Sequence, residues 1–150
     1  MRVLFVCTGN ICRSTTAEVL TREFFPSIES DSCGVSDHIK NNIMAKQMRL
    51  SVGRLGFDFQ PTRAKKITQD LLDWCDVAFY FQPNHLPKIK SRKLRGLEKL
   101  EPIYKIVGAD KIFDPNFTTD PAVCDGVRDT IFICLKMFYG ARGHKQQGDY

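Results

Sequence analysis

The residues best suited to chemistry crowd into one short stretch, Cys7-Thr8-Gly9-Asn10-Ile11-Cys12-Arg13-Ser14. It follows a short β-rich run from Arg2 to Val6. A helical stretch comes next, from about Ser14 to Phe25, with Ala17, Leu20 and Phe24 at helical spacing. A strand therefore delivers Cys7 to a sheet edge, and a helix aims its free N–H groups back at the loop, which makes an anion site. Gly9 and Asn10 tolerate positive φ, so successive amides can curl into a concave nest. Arg13 at the helix start can fork two hydrogen bonds onto a tetrahedral oxyanion. The positive field of such a loop favours the thiolate of a cysteine at its base. Nucleophile and dianion cradle together suit attack of sulfur on phosphorus, giving a cysteinyl-phosphate that water then hydrolyses.

The elements around this loop alternate. Ser14 is an N-cap candidate, Glu18 falls in the expected first turn, and Pro26 closes the helix. Residues 27–32 read as a second strand ending at Cys33-Gly34, and 39–55 as a longer helix stopped by Gly56. A helix over 67–74, a buried strand over 76–81, a basic helix over about 84–96 and a strand over 102–107 follow. A loop rich in Asp and Pro covers 108–121. The last helix spans 123–139, with Val127, Ile131, Cys134, Leu135 and Phe138 on one face. This alternation predicts an α/β protein, a single three-layer domain over residues 1–140 with a parallel sheet between helices, and a polar tail over 141–150 expected to fray. Ligands in such folds bind beyond the carboxyl ends of the strands. The first strand-to-helix turn is the Cys7–Ser14 loop.

Composition narrows the partners. The 150 residues are one domain's worth, and no apolar run approaches the ~18–20 residues that span a bilayer. The N-terminal apolar run is too short for an export signal, so a cytoplasmic protein without membrane attachment is expected. Six cysteines are few for a secreted scaffold, and no spacing completes a zinc set; no metal and no cofactor are expected. Cys75 and Cys134 sit in apolar settings as small buried hydrophobes. The net charge of +5 gathers in Lys88, Lys90, Arg92, Lys93, Arg95 and Lys99, with Glu98 opposing. Such a run is a solvated face or a dock for an acidic or phosphorylated partner, and without interleaved aromatics it does not read as a nucleic-acid surface.

From Val3 to Glu18 the chain resembles the opening of the low-molecular-weight protein tyrosine phosphatases. The resemblance is dense over the first 18 residues and looser but collinear to about residue 139. It implies a four-stranded parallel sheet of order 2-1-3-4 flanked by helices. It implies Cys7 as nucleophile, Arg13 as phosphate and transition-state clamp, and a cradle from the amides of Thr8, Gly9, Asn10, Ile11, Cys12 and Arg13. Ser14 would donate its hydroxyl to the Cys7 sulfur, Asn10 would hold the loop's turn, and Ser32 would brace Asn10. The implied substrate is a phosphotyrosine protein or other aryl phosphate, and phosphate or vanadate would inhibit.

Attack also needs an acid for the leaving phenolate and then a base for water. The family keeps this aspartate in an Asp-Pro loop, which Asp114-Pro115 fits; Asp120-Pro121 repeats the dipeptide. Asp114 is preferred because Phe117 follows it as the expected aromatic wall. The second wall aligns near His38. Three positions depart from the family pattern: Asn116 precedes the aromatic, Thr62 replaces a loop-supporting histidine, and Gln82 replaces an acid after the third strand. His85 is expected at the surface. The competing chemistries are arsenate reduction, which lacks its cysteine pair in 81–87; phosphoarginine hydrolysis, which is expected to carry threonine where Ile11 stands; and phospho-ligand binding without turnover. Cys12 shares the loop with Cys7 and is the expected redox partner, trapping an oxidised Cys7 as a disulfide. Family members with both cysteines behave this way.

Overall fold

The structure, a computed structural model, describes residues 1–150. Four parallel strands form one sheet in the order β2-β1-β3-β4: β1 Arg2–Cys7, β2 Glu29–Gly34, β3 Val77–Tyr80 and β4 Leu100–Pro102. Val3 to Val6 are solvent-free on both sides, and all of β3 is buried. That is why these strands read as continuous apolar runs rather than alternating ones. Five helices flank the sheet: α1 Arg13–Phe24, α2 Lys46–Gly53, α3 Gln69–Trp74, α4 His85–Lys90 and α5 Pro121–Ala141. Helices α1 and α5 pack together, and α2 packs on α5. The apolar face expected on the last helix is present, with Val127, Ile131, Cys134, Leu135 and Phe138 all buried.

Several elements differ from the sequence reading. Helix α1 begins one residue early, so Cys12 takes the N-cap position without a side-chain cap, and Glu18 falls beyond the first turn. The long helix over 39–55 shrinks to α2. Residues 42–44 pair with 62–64 instead, through Met44 N–H to Thr62 O (3.0 Å) and Ala64 N–H to Asn42 O (2.8 Å). The basic helix stops at Lys90, because Lys93 and Gly96 both turn to positive φ (56° and 86°). The strand over 102–107 is a 3-10 segment, Ile103–Val107; β4 ends at Pro102, which brings no N–H to a ladder.

The polar tail folds back against α1 and α5. Gln147 N–H donates to Phe24 O (2.8 Å), and the Tyr150 ring stacks on Phe132 with centroids 3.7 Å apart. The Tyr150 hydroxyl donates to Asp129 (2.6 Å). Tyr150 supplies the aromatic contact that the polar composition of 141–149 obscures. No helix is long and apolar enough to cross a membrane.

Candidate active site

Register fixes the site. Because β1 pairs with β2 as Cys7↔Gly34 and with β3 as Val6↔Tyr80, the segments leaving all three strands emerge side by side at one sheet edge. The loop after β1 lies against the chain after β2: Val35 N–H donates to Cys7 O (3.0 Å) and Ser36 N–H to Thr8 O (3.0 Å). Gly34 is needed there, since a Cβ would stand 2.6 Å from Thr8 O and 2.5 Å from the Ile39 side chain. On the far side, Ala45 N–H donates to Ile11 O (2.8 Å).

Asn10 is the turn residue, at φ 57°, a conformation asparagine accepts at small cost. Its side chain is fully used. Oδ1 accepts from Lys65 N–H (3.0 Å), while Nδ2 donates to Ser14 Oγ (2.8 Å) and Ser32 Oγ (2.9 Å). The Ser32 hydroxyl in turn donates a hydrogen bond to Glu18 Oε1 (2.6 Å), and Glu18 also pairs with Arg22. Burial pushes the Glu18 carboxyl above the ordinary range. Ser14 Oγ, occupied as an acceptor by Asn10, has its proton left for Cys7 Sγ at 2.9 Å. A polar chain thus runs Glu18–Ser32–Asn10–Ser14–Cys7. Glu18 is therefore no dipole residue of the first turn, as its position suggests; its place in the chain depends on β2 crossing α1, which no local pattern encodes.

Arg13 is buried, and its guanidinium spans the other side of the loop. Nη1 donates to Gln82 Oε1 (2.6 Å) and Ile112 O (2.8 Å). Nη2 lies 3.4 Å from Thr8 Oγ1 and 3.4 Å from Asp114 Oδ2. Nε is buried with no partner at all. An unpaired donor on a buried cation is costly unless something outside the protein accepts it.

Cys7, Thr8, Gly9, Ile11, Cys12, Arg13, Ser36, Asp114, Asn116 and Phe117 surround one small cavity of about 130 Å³. Phe117 stands 82% exposed at its mouth. His38 is not among these residues. It lines a separate cleft with Lys88, Ser91 and Arg92, and Ser36, two residues earlier, forms the wall instead. The chain turns outward after Ser36, which leaves His38 exposed.

The two Asp-Pro pairs do the same local work and differ in surroundings. Asp114 caps the 3-10 segment Pro115–Phe117 by accepting from Asn116 N–H (3.0 Å); Asp120 caps α5 by accepting from Ala122 N–H (2.9 Å). Of the two, Asp114 lines the cavity and Asp120 is exposed away from it.

Burial pushes the Cys12 thiol well up, with the nearby Cys7 adding to the effect, so Cys12 is a neutral thiol. All six cysteines are free and buried. His85, expected at the surface, is fully buried at the start of α4. It touches the loop through Thr8 Oγ1 (2.9 Å). The Thr62 hydroxyl is buried without a partner, and Asn10 takes the Lys65 amide.

The α/β sheet gathers a thiol, a buried guanidinium and a positive-φ turn at the carboxyl end of β1, where ligands of such folds bind. The chain belongs to the low molecular weight phosphotyrosine protein phosphatase family, whose match covers residues 2–139. The low molecular weight protein-tyrosine-phosphatase Ptp of Acinetobacter johnsonii is 35% identical over 88 residues, which span 59% of this chain and 61% of that protein. A low molecular weight phosphotyrosine phosphatase from Vibrio cholerae O395 shares the fold, with a TM-score of 0.85 and 18% identity over 95% of this chain and 97% of that one. The YwlE arginine phosphatase of Geobacillus stearothermophilus does so at a TM-score of 0.81 and 24% identity, over 95% and 92%.

Proposed function

We propose that the protein is a cysteine-dependent phosphatase that hydrolyses phosphotyrosine, or another aryl phosphate monoester, through a cysteinyl-phosphate on Cys7. The observation that carries this reading is the partnerless Nε of buried Arg13, on a side chain lining the same cavity as the Cys7 sulfur. A bound phosphoryl group supplies the missing acceptor. The Cys7 sulfur attacks phosphorus in line with the ester oxygen, while the Ser14 hydroxyl donates a hydrogen bond to that sulfur and stabilises the anion. Arg13 and the loop amides of Thr8 to Arg13 hold the equatorial oxygens as charge gathers on them. Asp114 gives its proton to the departing phenolate. Its carboxylate then takes a proton from water, which attacks the phosphocysteine and releases inorganic phosphate and the Cys7 thiolate.

Ile11 and Phe117 give the cavity apolar walls suited to an aromatic ring. Phosphoarginine is the competing substrate, since an arginine phosphatase shares the fold. The test is hydrolysis of para-nitrophenyl phosphate, then of matched phosphotyrosine and phosphoarginine peptides. Preference for phosphotyrosine is expected; preference for phosphoarginine overturns the substrate reading but keeps the chemistry, and absence of all turnover overturns both. Phosphate and vanadate are expected to inhibit by occupying the cradle.

We infer further that Cys12 guards Cys7 against oxidation. Peroxide oxidises the Cys7 thiolate to a sulfenic acid with release of hydroxide. The Cys12 thiol then displaces water from it to give a Cys7–Cys12 disulfide, which a dithiol reduces. Both thiols line one cavity, and the protonated state of Cys12 leaves Cys7 as the site of attack. Such cycling suits the reducing cytoplasm.

A further inference from the structure

The His85 imidazole is a titratable group sealed in the protein beside the loop, with no part in the chemistry above. Its hydrogen bonds fix its protonation. Phe81 N–H donates to His85 Nδ1 (3.2 Å), and a backbone amide has only a proton to give. Nδ1 is therefore the acceptor nitrogen, and the ring proton sits on Nε2, 2.9 Å from Thr8 Oγ1. Burial, with the Arg13 and Lys88 charges nearby, pulls His85 down to about 3, so the ring stays neutral across the physiological range.

The consequence falls on Thr8. Its hydroxyl oxygen receives His85 Nε2–H at 2.9 Å and Arg13 Nη2–H at 3.4 Å, which uses both of its lone pairs. No protein group accepts the hydroxyl's own proton, and Thr8 lines the cavity above Cys7. We propose that the Thr8 hydroxyl is an additional donor to the phosphoryl oxygens, and that His85 is the positioning residue that compels it to donate. The proposal rests on the phosphate-cradle reading and adds a side-chain contact to the loop amides. A neutral imidazole is the right device: an imidazolium would add charge beside Arg13, and the opposite tautomer would take the Thr8 proton for itself.

Two measurements decide it. In the wild type, ¹⁵N spectra of labelled histidine should show His85 as the neutral Nε2–H tautomer from about pH 5 to 8. Titration in that interval, or the Nδ1–H tautomer, overturns the proposal. Thr8→Val keeps the shape and removes the hydroxyl. It should weaken inorganic phosphate binding, read by calorimetry, and kcat/KM on para-nitrophenyl phosphate by about 10- to 100-fold, the range of a lost hydrogen bond to a charged group. Thr8→Ser should stay within about threefold of wild type. His85→Gln, whose amide can still donate to Oγ1, should retain more activity than His85→Leu, and adding His85→Leu to Thr8→Val should cost little more than Thr8→Val alone. Unchanged phosphate affinity in Thr8→Val overturns the proposal even when the enzyme turns over normally. Calorimetry keeps that outcome separate from failure of the phosphatase reading, which shows as a wild type without turnover.

Discussion

The two sides of the Cys7 loop are held by different means. On the Asn10 side, short side chains form a closed chain from Glu18 through Ser32, Asn10 and Ser14 to the Cys7 sulfur, with every bond near 2.6–2.9 Å. On the Arg13 side, the partners arrive from far along the chain: Gln82, His85, Ile112 and Asp114. Their contacts leave one guanidinium nitrogen unpaired and hold another at 3.4 Å from both Thr8 and Asp114. The first side sets the shape of the backbone and needs no ligand to be complete. The second carries the charge and leaves the Arg13 Nε donor open. Shape and charge are thus handled by separate networks that meet at Thr8–Ser14.

That division can be broken from either side, and the damage should differ in kind. On the Arg13 side, Arg13→Lys keeps one positive charge but loses the fork. It should cost at least ~10²–10³ in kcat/KM on para-nitrophenyl phosphate. Asp114→Ala should follow, with a loss of ~10²–10⁴ on aryl esters with poor leaving groups and much less where the phenolate departs easily. Asp120→Ala, which removes the same kind of cap from α5, should leave turnover intact and lower stability by ~1 kcal/mol in urea unfolding. The reverse ranking of the two aspartates would move the acid to the second Asp-Pro.

On the Asn10 side, Ser32→Ala strands one proton of Asn10 Nδ2 and leaves Glu18 Oε1 without its donor. Urea unfolding should show a loss of ~1–3 kcal/mol, with phosphate affinity falling less than in Arg13→Lys. The last effect tests His85 and is absent near neutral pH, growing only as the pH falls. The unfolded chain protonates this residue below about pH 6.5, whereas the folded one holds it neutral down to about 3. The unfolded state therefore binds the extra proton, and stability falls as pH drops through that window. Relative to His85→Gln, the wild type should lose up to ~1.4 kcal/mol per pH unit between about 6.5 and 3, measured as melting temperature against pH.

The same division explains what the residues reveal unaided. The strand–loop–helix around Cys7 is legible because strand, positive-φ turn and helix start are local and consecutive. The parallel sheet is legible because its central strands are buried on both faces and read as apolar runs. His85 is not legible: one histidine at the start of a short helix carries no sign that Phe81 N–H and Thr8 will claim its two nitrogens. Gln82 presents the same difficulty, since its partner Arg13 lies 69 positions away. Asp114 and Asp120 show the limit most plainly, with the same dipeptide, the same capping bond and only tertiary surroundings to separate them. His38 is no pocket wall because the chain turns outward two residues earlier. Tyr150 is hidden in a polar tail whose composition masks one aromatic anchor.

The central claim is that Cys7 forms the covalent bond to phosphorus while the loop around it binds the anion independently. Cys7→Ser separates these two roles in one protein. Assayed on para-nitrophenyl phosphate beside the wild type, with phosphate binding followed by calorimetry, it should lose essentially all turnover and keep phosphate affinity near the wild-type value, because the amides and Arg13 are untouched. Substantial turnover in Cys7→Ser would contradict the claim, as would loss of phosphate binding together with activity in a variant that still folds.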